Sequence, residues 1–508
     1  MSVGTASRER LVEAWIRGSR AADAALVVAV LIAGSVSRHA VYTRYGVTLL
    51  VVSAVALAVG VWRGAGRTPP SKAAVVVALG GALFAQVIKP PYMNVDGRTW
   101  ALRAGVVACM VVTVLAAGLL VARGRRLVML GWAATIGIAA SYALAIGGSG
   151  RPLIDVWPIL QGASLGVVHG RNPYEMTFAG VPPGQVDDCF NYLPGTFLMP
   201  LPGRLLLGDV RYAEAAVLLA GMAALLWWAI RSARGQAEPA ARIGAGDLAA
   251  GGSPGGRATG TALGGRPTGT APGDRTIGTA PGDRATGSAP GDRTTAVGPG
   301  AAVAPALAVL AGVLPGSLYD VQQAWNETIL FGALAAAGVL IAARRPWWAA
   351  AALAVALCTK QHVVLLLPLW ALWPAFGPRR AVAAAAGAAA VTLPWFLADP
   401  ARFRHCVVDF FLDLPARPDS LSIWHLVPGP LRAVAVLALV AVAYLLVLRA
   451  VPRTPGGLLL GCGLVLTAFA LANKQSFLNQ WLLASQLVVA GLVLVAARTR
   501  PVREIPLC

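Results

Sequence analysis

Residues 151–204 read RPLIDVWPILQGASLGVVHGRNPYEMTFAGVPPGQVDDCFNYLPGTFLMPLPGR, and they separate two sets of apolar segments. This stretch is the longest in the chain that is neither a plain apolar helix nor a low-complexity spacer. Apolar residues at helical spacing follow Asp155 over residues 157–168, and turn-forming Gly, Asn and Pro residues come next. We therefore expect the rest of the chain to support this region, and any chemistry to lie in it.

The composition around this stretch is that of a membrane protein. Of 508 residues, 57% are hydrophobic and only 13% are charged, whereas about 25% of a soluble domain is charged. The formal net charge of +20 comes from short arginine clusters between apolar runs, which is how membrane proteins encode their orientation. The composition thus predicts a polytopic membrane protein and argues against one that binds nucleic acid.

Apolar segments on both sides of the central stretch predict an all-α transmembrane bundle of about 14 spans. Each segment approaches the roughly 20 apolar residues that a helix needs to cross a bilayer. The segments before the stretch are residues 21–36, 45–62, 73–88, 104–121 and 127–146. Those after it are residues 212–230, 301–318, 328–343, 347–358, 362–373, 381–397, 431–448, 458–471 and 477–497.

The positions of arginine and lysine predict the orientation. If the N-terminus is cytoplasmic, the positively charged loops fall on the inner side at almost every turn. This assignment requires that residues 192–207, which contain several prolines, do not cross the bilayer, so we expect a re-entrant or interfacial helix there. Both termini are then cytoplasmic, and the polar clusters face the outside of the plasma membrane.

A repeated nonapeptide interrupts the apolar pattern. From residue 255 it reads GGRATGTAL, GGRPTGTAP, GDRTIGTAP and GDRATGSAP, and this composition cannot bury a hydrophobic core. It lacks the bulky apolar position of a calcium-binding β-roll, so we expect a disordered cytoplasmic linker. The predicted organisation is N-terminal helices in 1–147, an outer-face catalytic region in 148–210, one helix in 211–230, the linker in 231–300, a C-terminal bundle in 301–497 with an outer loop at 398–430, and a cytoplasmic tail in 498–508.

Polar clusters in the C-terminal half are predicted on the same outer face, at residues 319–327, 359–362, 398–430 and 473–475. Lys360 interrupts a pair of short apolar helices, and Lys474 lies at the end of another. A lysine at such a depth is costly in lipid and indicates a functional site. The simpler alternative is that a lysine at a helix end extends to the lipid headgroups without any other role.

Motifs of metalloproteases, serine hydrolases and P-loop enzymes are absent from the sequence, so we expect no metal and no cofactor. Asp187 and Asp188 are adjacent carboxylates, for which a solvated loop is the simpler interpretation. Cys189 and Cys406 both fall in predicted outer loops, where a disulfide is one of the alternatives that the sequence leaves open. The cysteines in apolar runs are interpreted as packing residues: Cys109, Cys358 and Cys462.

Short polar motifs follow one another in a fixed order along the chain: Asp155, then Gly170 to Tyr174, Tyr192 to Pro194, Gln323 to Glu327, Thr359 to Gln361, and Asn473 to Gln475. This order resembles that of the GT-C superfold glycosyltransferases that use polyprenyl-phosphate sugars, most closely glycosyltransferase family 87, a mannosyltransferase-type group. The resemblance covers most of the chain apart from the repeats and the N-terminal region. It implies transfer of a hexose, with mannose favoured, from a lipid-linked donor to a lipid or glycan acceptor.

The residue types fit this chemistry. A lipid-phosphate leaving group needs no protonation, so one carboxylate suffices as general base, unlike the acid and base pair of a glycosidase, and we assign this role to Asp155. The cations suited to stabilise charge on the leaving phosphate are Lys360, Lys474, Arg171 and Arg151. The predicted substrate-binding residues are Asn172, Tyr174, Tyr192, Gln323, Trp325, Asn326, Glu327, Gln361, His362 and Gln475.

A multi-pass transporter or a lipid or glycolipid flippase is the alternative. It would explain proline-interrupted helices and lysines within apolar surroundings. It explains less well why the polar clusters avoid the inner face, because alternating access needs polar groups at both faces. A structural membrane scaffold is a third interpretation, and the sequence points to no particular protein partner.

Overall fold

The computed structural model describes residues 3–38, 42–88, 99–152, 154–181, 189–250 and 300–498. Within these ranges the regular structure is helical, without a β-strand. Nine of the described helices are long and apolar enough to cross a membrane, by length and composition. This architecture confirms the predicted all-α class and is the one that a multi-pass membrane protein requires.

The N-terminal part forms a set of five helices. Thr43 caps the second of them, because its hydroxyl oxygen accepts a hydrogen bond from the Gly46 N–H at 3.0 Å. The first helix packs against the second and third, and the fourth packs along the fifth. The helices are α1 (Val3–Arg38), α2 (Arg44–Trp62), α3 (Lys72–Ile88), α4 (Thr99–Leu119) and α5 (Gly124–Gly148).

The central stretch folds into short helices before the long α9 (Arg211–Ala250) begins. Prolines start two of them, and these span only 4 and 7 residues, which is too short to cross a bilayer. Two short helices in place of one long helix agree with the predicted re-entrant or interfacial segment. Its position in the bilayer stays a prediction. The short helices are α6 (Val156–Val168), a 3₁₀ turn at Pro173–Glu175, α7 (Gly195–Leu198) and α8 (Leu201–Leu207).

The C-terminal part contains the remaining helices and short 3₁₀ or π turns. Gly316, with a φ of 97°, redirects the chain between the first two helices, in a conformation that favours glycine. The helices are α10 (Ala304–Val313), α11 (Ser317–Gln322), α12 (Glu327–Ala342), α13 (Pro346–Leu357), α14 (Leu367–Ala371), α15 (Pro378–Ala398), α16 (Pro400–Arg404), α17 (Phe410–Asp413), α18 (Arg432–Ala450), α19 (Pro455–Ala472) and α20 (Leu478–Ala496). The turns are Gln361–Leu366, His405–Asp409, Trp424–Leu426 and Gly429–Leu431.

Helix α20 lies at the centre of the bundle, because nearly all of its residues are buried. It contacts α1, α9, α10, α12 and α19. Helices α15 and α18 instead leave large apolar side chains exposed, such as Val382 and Leu437. An apolar outer surface on peripheral helices is what contact with lipid tails requires.

Two glycines allow α9 and α12 to cross closely. A Cβ at Gly332 would lie 2.2 Å from the Val217 carbonyl oxygen, and one at Gly221 would lie 2.4 Å from the Gly332 carbonyl oxygen. Near the starts of the same helices, Glu214 and Glu327 are close enough for their charges to interact. The crossing therefore holds two acidic side chains together.

Several predicted spans lie on shorter helices than the sequence suggested. Residues 347–358 and 362–373 fall on helical segments of 12 and 11 residues, because the polar turn from Thr359 to Gln361 ends one and starts the next. The predicted count of about 14 spans stays a prediction. Helix α9 also continues to Ala250, beyond the predicted start of the linker at residue 231, in a stretch rich in the helix former alanine.

Some predictions fall outside the described residues. These are the nonapeptide repeats, the adjacent Asp187 and Asp188, and the tail from residue 499.

Candidate functional site

Polar side chains gather where several otherwise apolar elements begin. Glu214 lies in the first turn of α9, Asp320 lies in α11, Glu327 starts α12, and Lys360 precedes the turn Gln361–Leu366. The three carboxylates are fully buried. The sequence clusters 319–327 and 359–362 thus meet in one place, together with an acidic residue of α9.

The Nζ atom of Lys360 donates a hydrogen bond to Oε1 of Glu327 at 2.6 Å, with the two side chains 12% and 0% exposed. The same ammonium lies 5.5 Å from the centroid of the Tyr192 ring, a cation–π arrangement. Both partners of the pair are removed from solvent, where the loss of one would leave an uncompensated charge. Lys360 therefore faces the protein interior, and extension to the headgroups does not describe it.

Backbone contacts fasten the Tyr-Leu-Pro motif to the Thr-Lys-Gln motif. The N–H of Gly195 donates to the Cys358 carbonyl at 2.7 Å, and the side-chain amide of Gln361 donates to the Asn191 carbonyl at 2.9 Å. A Cβ at Gly195 would lie only 2.6 Å from that Cys358 oxygen. Since Tyr192 lies between these anchors, its ring is held beside Lys360.

Asp155 borders this cluster at the start of α6 and keeps part of its side chain accessible. Burial raises the pKa of Asp155, while the positive charge of Arg417, backbone hydrogen bonds and the charge of Lys360 act against that rise. Its charge also reaches Tyr192. A carboxylate with a raised pKa accepts a proton more readily than an ordinary one, as a general base requires.

Tyr174 and Trp325, both predicted to bind substrate, are packing residues. The Tyr174 hydroxyl donates to the Tyr192 carbonyl at 2.9 Å, and its ring is fully buried between phenylalanine rings. The Trp325 ring packs edge-on against Tyr319, with centroids 5.1 Å apart. Tyr174 thus positions the loop that carries Tyr192, and neither ring presents a surface to a substrate.

The other predicted residues near Lys360 differ in whether their polar groups have partners. His362 stacks on Phe469 with ring centroids 5.6 Å apart. Gln323 is almost completely buried at the end of α11. The buried amide groups of Gln322 and Asn326 have no hydrogen-bond partner among the described residues. Buried polar atoms of this kind usually belong to ligand-binding or hydrated positions.

Lys474 and Gln475 belong to a different environment from the one predicted. Lys474 Nζ donates to the carbonyls of Leu412 and Leu414 at 2.9 and 2.6 Å, and Gln475 donates to the Pro415 carbonyl at 2.7 Å. These bonds satisfy carbonyl groups in the last turn of α17 and in the chain that follows it. The two side chains hold the 398–430 loop against the bundle, and their assignment to donor phosphate and substrate stays a prediction.

Arg151, Arg171 and Asn172 also hold local structure. Arg151 donates to the Gly180 carbonyl, and Asn172 caps the turn Pro173–Glu175 while its amide donates to Glu175 at 2.8 Å. Arg171 is exposed at the surface beyond α6. Of the predicted phosphate-binding cations, only Lys360 lies in the buried cluster.

The sequence analysis did not single out Glu214, Asp320 and Arg417. An acid in the first turn of a helix, such as Glu214, ordinarily complements the helix dipole and draws no attention. Both carboxylate oxygens of Glu214 and of Asp320 are buried without a hydrogen-bond partner among the described residues. Arg417 pairs with Asp419 at 2.7 Å in the 398–430 loop, and only the fold of that loop brings it near Asp155.

A disulfide joins Cys189 to Cys406 across 217 residues of chain, with their Cα atoms 5.4 Å apart. It connects the segment leading to Tyr192 with the 398–430 loop that carries Arg417. Nearby, Arg402 Nε donates to the Tyr174 carbonyl at 3.1 Å. Two parts of the site distant in sequence are thereby fixed to each other. The three cysteines of the apolar runs are free and buried, as expected: Cys109, Cys358 and Cys462.

An apolar groove of about 430 Å³ lies between α7, α13 and α15. Its lining includes Gly195 and Cys358 at one end and the exposed Trp347 at the other. Cys358 precedes Lys360 by two positions, so the groove ends beside the polar cluster. We call it the α13 groove.

No group of three or more His, Cys, Asp or Glu side chains suited to a metal ion occurs in the described ranges. The arrangement instead provides one partly accessible carboxylate, a buried ammonium and an apolar groove. Comparison of the chain with models of known protein families, with curated proteins and with solved structures finds no match.

Proposed function

We propose that the chain is a membrane glycosyltransferase that moves a hexose, with mannose favoured, from a polyprenyl-phosphate donor to a lipid or glycan acceptor at the outer face of the plasma membrane. The observation that carries the proposal is the position of Asp155, a partly accessible carboxylate whose pKa is raised by burial, in the electrostatic field of Arg417 and of Lys360, which is paired with Glu327. One base beside one cation is what transfer from a lipid phosphate needs.

In the proposed reaction, Asp155 accepts the proton of the acceptor hydroxyl as its oxygen attacks the anomeric carbon. The bond between that carbon and the donor phosphate oxygen breaks, and its electrons remain on the polyprenyl phosphate. Lys360 is the cation placed to stabilise this negative charge, with Arg417 near Asp155 on the loop side. The proton on Asp155 returns to solvent after the product leaves.

The α13 groove supports a lipid-linked donor. Its lining is apolar, and α15 on one side of it exposes further apolar side chains such as Val382 and Leu397. A prenyl chain in this groove would place its phosphate end near Cys358 and Lys360 without leaving an apolar environment.

A transporter is the second candidate, and the buried acids favour it. Glu214 and Asp320 lie in the interior near Lys360, and the chain is interrupted between α10 and α11, features that also occur in ion-coupled carriers. Such a carrier would move substrate across vesicles without forming a glycosidic bond.

The test uses the purified full-length chain in proteoliposomes with a panel of polyprenyl-phosphate sugars and lipid acceptors. Transfer by the wild type and by Asp413→Asn, an exposed carboxylate of α17, together with its loss in Asp155→Asn, would support the proposal. Absence of transfer for every sugar, combined with substrate accumulation inside the vesicles, would favour the carrier.

A further inference from the structure

A second cavity lies far from the candidate site, between the start of α5 and residues 226–235 of α9. Its volume is about 580 Å³, and its lining combines apolar and basic side chains. We call it the α5/α9 pocket, and its defining residues are Gly131, Trp132, Trp227, Ile230, Arg231 and Arg234.

The apolar part of α9 covers Arg211–Gly235, and the pocket lies near its Gly235 end, whereas the polar cluster lies near its Arg211 end. Arg211 at the start of α9 is near that cluster, since its guanidinium donates to the backbone carbonyl of Gln322 at 3.0 Å, whereas Arg231 lines the pocket. The helical rise of about 1.5 Å per residue separates these two arginines by about 30 Å, which is the hydrocarbon thickness of a bilayer. If α9 spans the bilayer along this part, that separation puts the pocket at headgroup depth on the face opposite to the polar cluster.

One end of the pocket is charged and the other is apolar, as an amphiphilic ligand requires. Arg231 and Arg234 form its charged end, and the guanidinium of Arg231 lies 5.3 Å from the Trp227 ring centroid. Trp132 and Trp227 are 65% and 53% exposed, as aromatic side chains at a membrane interface commonly are. The apolar end continues along α5 and α9 toward the middle of the bilayer.

The described charged side chains around the pocket are positive. Arg125 and Arg126 are exposed in the first turn of α5. Among the side chains of α5 and α9 that the structure describes, the single acidic one, Glu214, lies at the opposite end of α9. Closely spaced guanidinium groups above an apolar cleft are suited to a phosphate ester that carries hydrocarbon chains.

We propose that the α5/α9 pocket binds an anionic glycerophospholipid, with its phosphate between Arg231 and Arg234 and an acyl chain along Trp227. Its distance from Asp155 and Lys360 separates this lipid from any lipid substrate of the candidate site. The proposal therefore does not rest on the proposed transferase activity. Arginine favours phosphate because its planar guanidinium makes paired hydrogen bonds, in addition to its charge.

The test compares lipid binding by native mass spectrometry of the purified full-length chain. The probes are phosphatidylglycerol and phosphatidylcholine with identical acyl chains, and inorganic phosphate as a competitor without chains. The test variant is Arg231→Gln/Arg234→Gln. The matched control is Arg379→Gln/Arg449→Gln, which removes the same charge from exposed positions beside other helices.

Binding of phosphatidylglycerol to the wild type and to the control, with about tenfold or greater weakening in the test variant, is the expected result. Arg231→Lys/Arg234→Lys, which keeps the charge, should retain part of the binding and shows whether the site tolerates substitution. Equal binding of phosphatidylcholine, equal loss in the control, or displacement by millimolar inorganic phosphate would overturn the proposal.

Discussion

The ammonium of Lys360 lies 2.6 Å from the carboxylate of Glu327, and the two residues reach each other from separate helical segments across the interior of the bundle. A buried ion pair adds little net stability to a fold, but the loss of either partner leaves an unpaired buried charge and is strongly destabilising. The two helical segments are therefore held in this relative position. The position of Tyr192 over the same ammonium adds a third element to this arrangement.

Breaking this pair from one side should destabilise the protein, whichever partner is removed. Lys360→Met leaves Glu327 buried and unpaired, which costs about 3–5 kcal/mol and lowers the midpoint of thermal unfolding in detergent. The double variant Lys360→Met/Glu327→Leu removes both charges and should recover most of that midpoint. Transfer activity should stay absent in the double variant, and recovery of activity would limit Lys360 to a structural role.

Asp155→Asn should preserve folding and abolish the base. The amide keeps size and hydrogen bonding but accepts no proton, so transfer should fall by at least ~100-fold with an unchanged unfolding midpoint. In the wild type, burial raises the pKa of Asp155. Activity should therefore be present above that pKa and decline as the pH falls through it, at a pH above the ordinary aspartate value of about 3.9. Near-normal transfer by the variant would remove Asp155 from the mechanism.

Arg417→Gln should shift this pH profile. The charge of Arg417 lowers the pKa of Asp155 against the effect of burial, so its removal raises that pKa further and moves the acidic limb of kcat/KM to higher pH. Arg404→Gln is the control, because Arg404 pairs with Asp409 on an exposed part of the same loop region. An identical profile in both variants would contradict the proximity of Arg417 to the base.

The sequence predicted the helical class, and it predicted a functional position at Lys360 because a charged residue inside an apolar run is costly in a membrane. The contact between Lys360 and Glu327 is known only from the fold. The sequence did not separate Lys360 from Lys474, since both end helices and both neighbour glutamine. Only the fold of the 398–430 loop shows that Lys474 binds carbonyl groups while Lys360 binds a carboxylate. The pairing of Cys189 with Cys406 was equally open, because sequence gives no distance between loops.

Gly332→Ala should lower both stability and transfer activity, although it replaces no polar residue of the site. The new Cβ would lie 2.2 Å from the Val217 carbonyl oxygen, so α9 and α12 must move apart, and the cost is about 1–3 kcal/mol. Both the unfolding midpoint and the transfer rate should fall. Gly235→Ala, in the partner helix α9, is the control, since its Cβ would meet nothing within 4 Å. Equal effects of the two substitutions would mean that the crossing is not tight.

The last prediction concerns the membrane face of the site, on which a lipid-linked donor outside the cell depends. In a Cys508→Ser background, the described native cysteines are either buried or joined in the disulfide, so they do not compete for an impermeant thiol reagent. Single cysteines at the exposed Glu175 and Asp413 should label in intact cells, whereas cysteines at the exposed Arg126 and Arg449 should not. The reason is that arginine-rich helix ends stay on the cytoplasmic side.

Labelling after permeabilisation checks that the second pair is accessible at all. The reverse pattern would place the site inside, where nucleotide sugars are available and a lipid-linked donor is no longer required. Labelling at Glu175 without labelling at Asp413 would put α6 and the 398–430 loop on opposite faces. That outcome is incompatible with the disulfide between Cys189 and Cys406 and with the action of Arg417 on Asp155, so it would refute the site itself and not only its orientation.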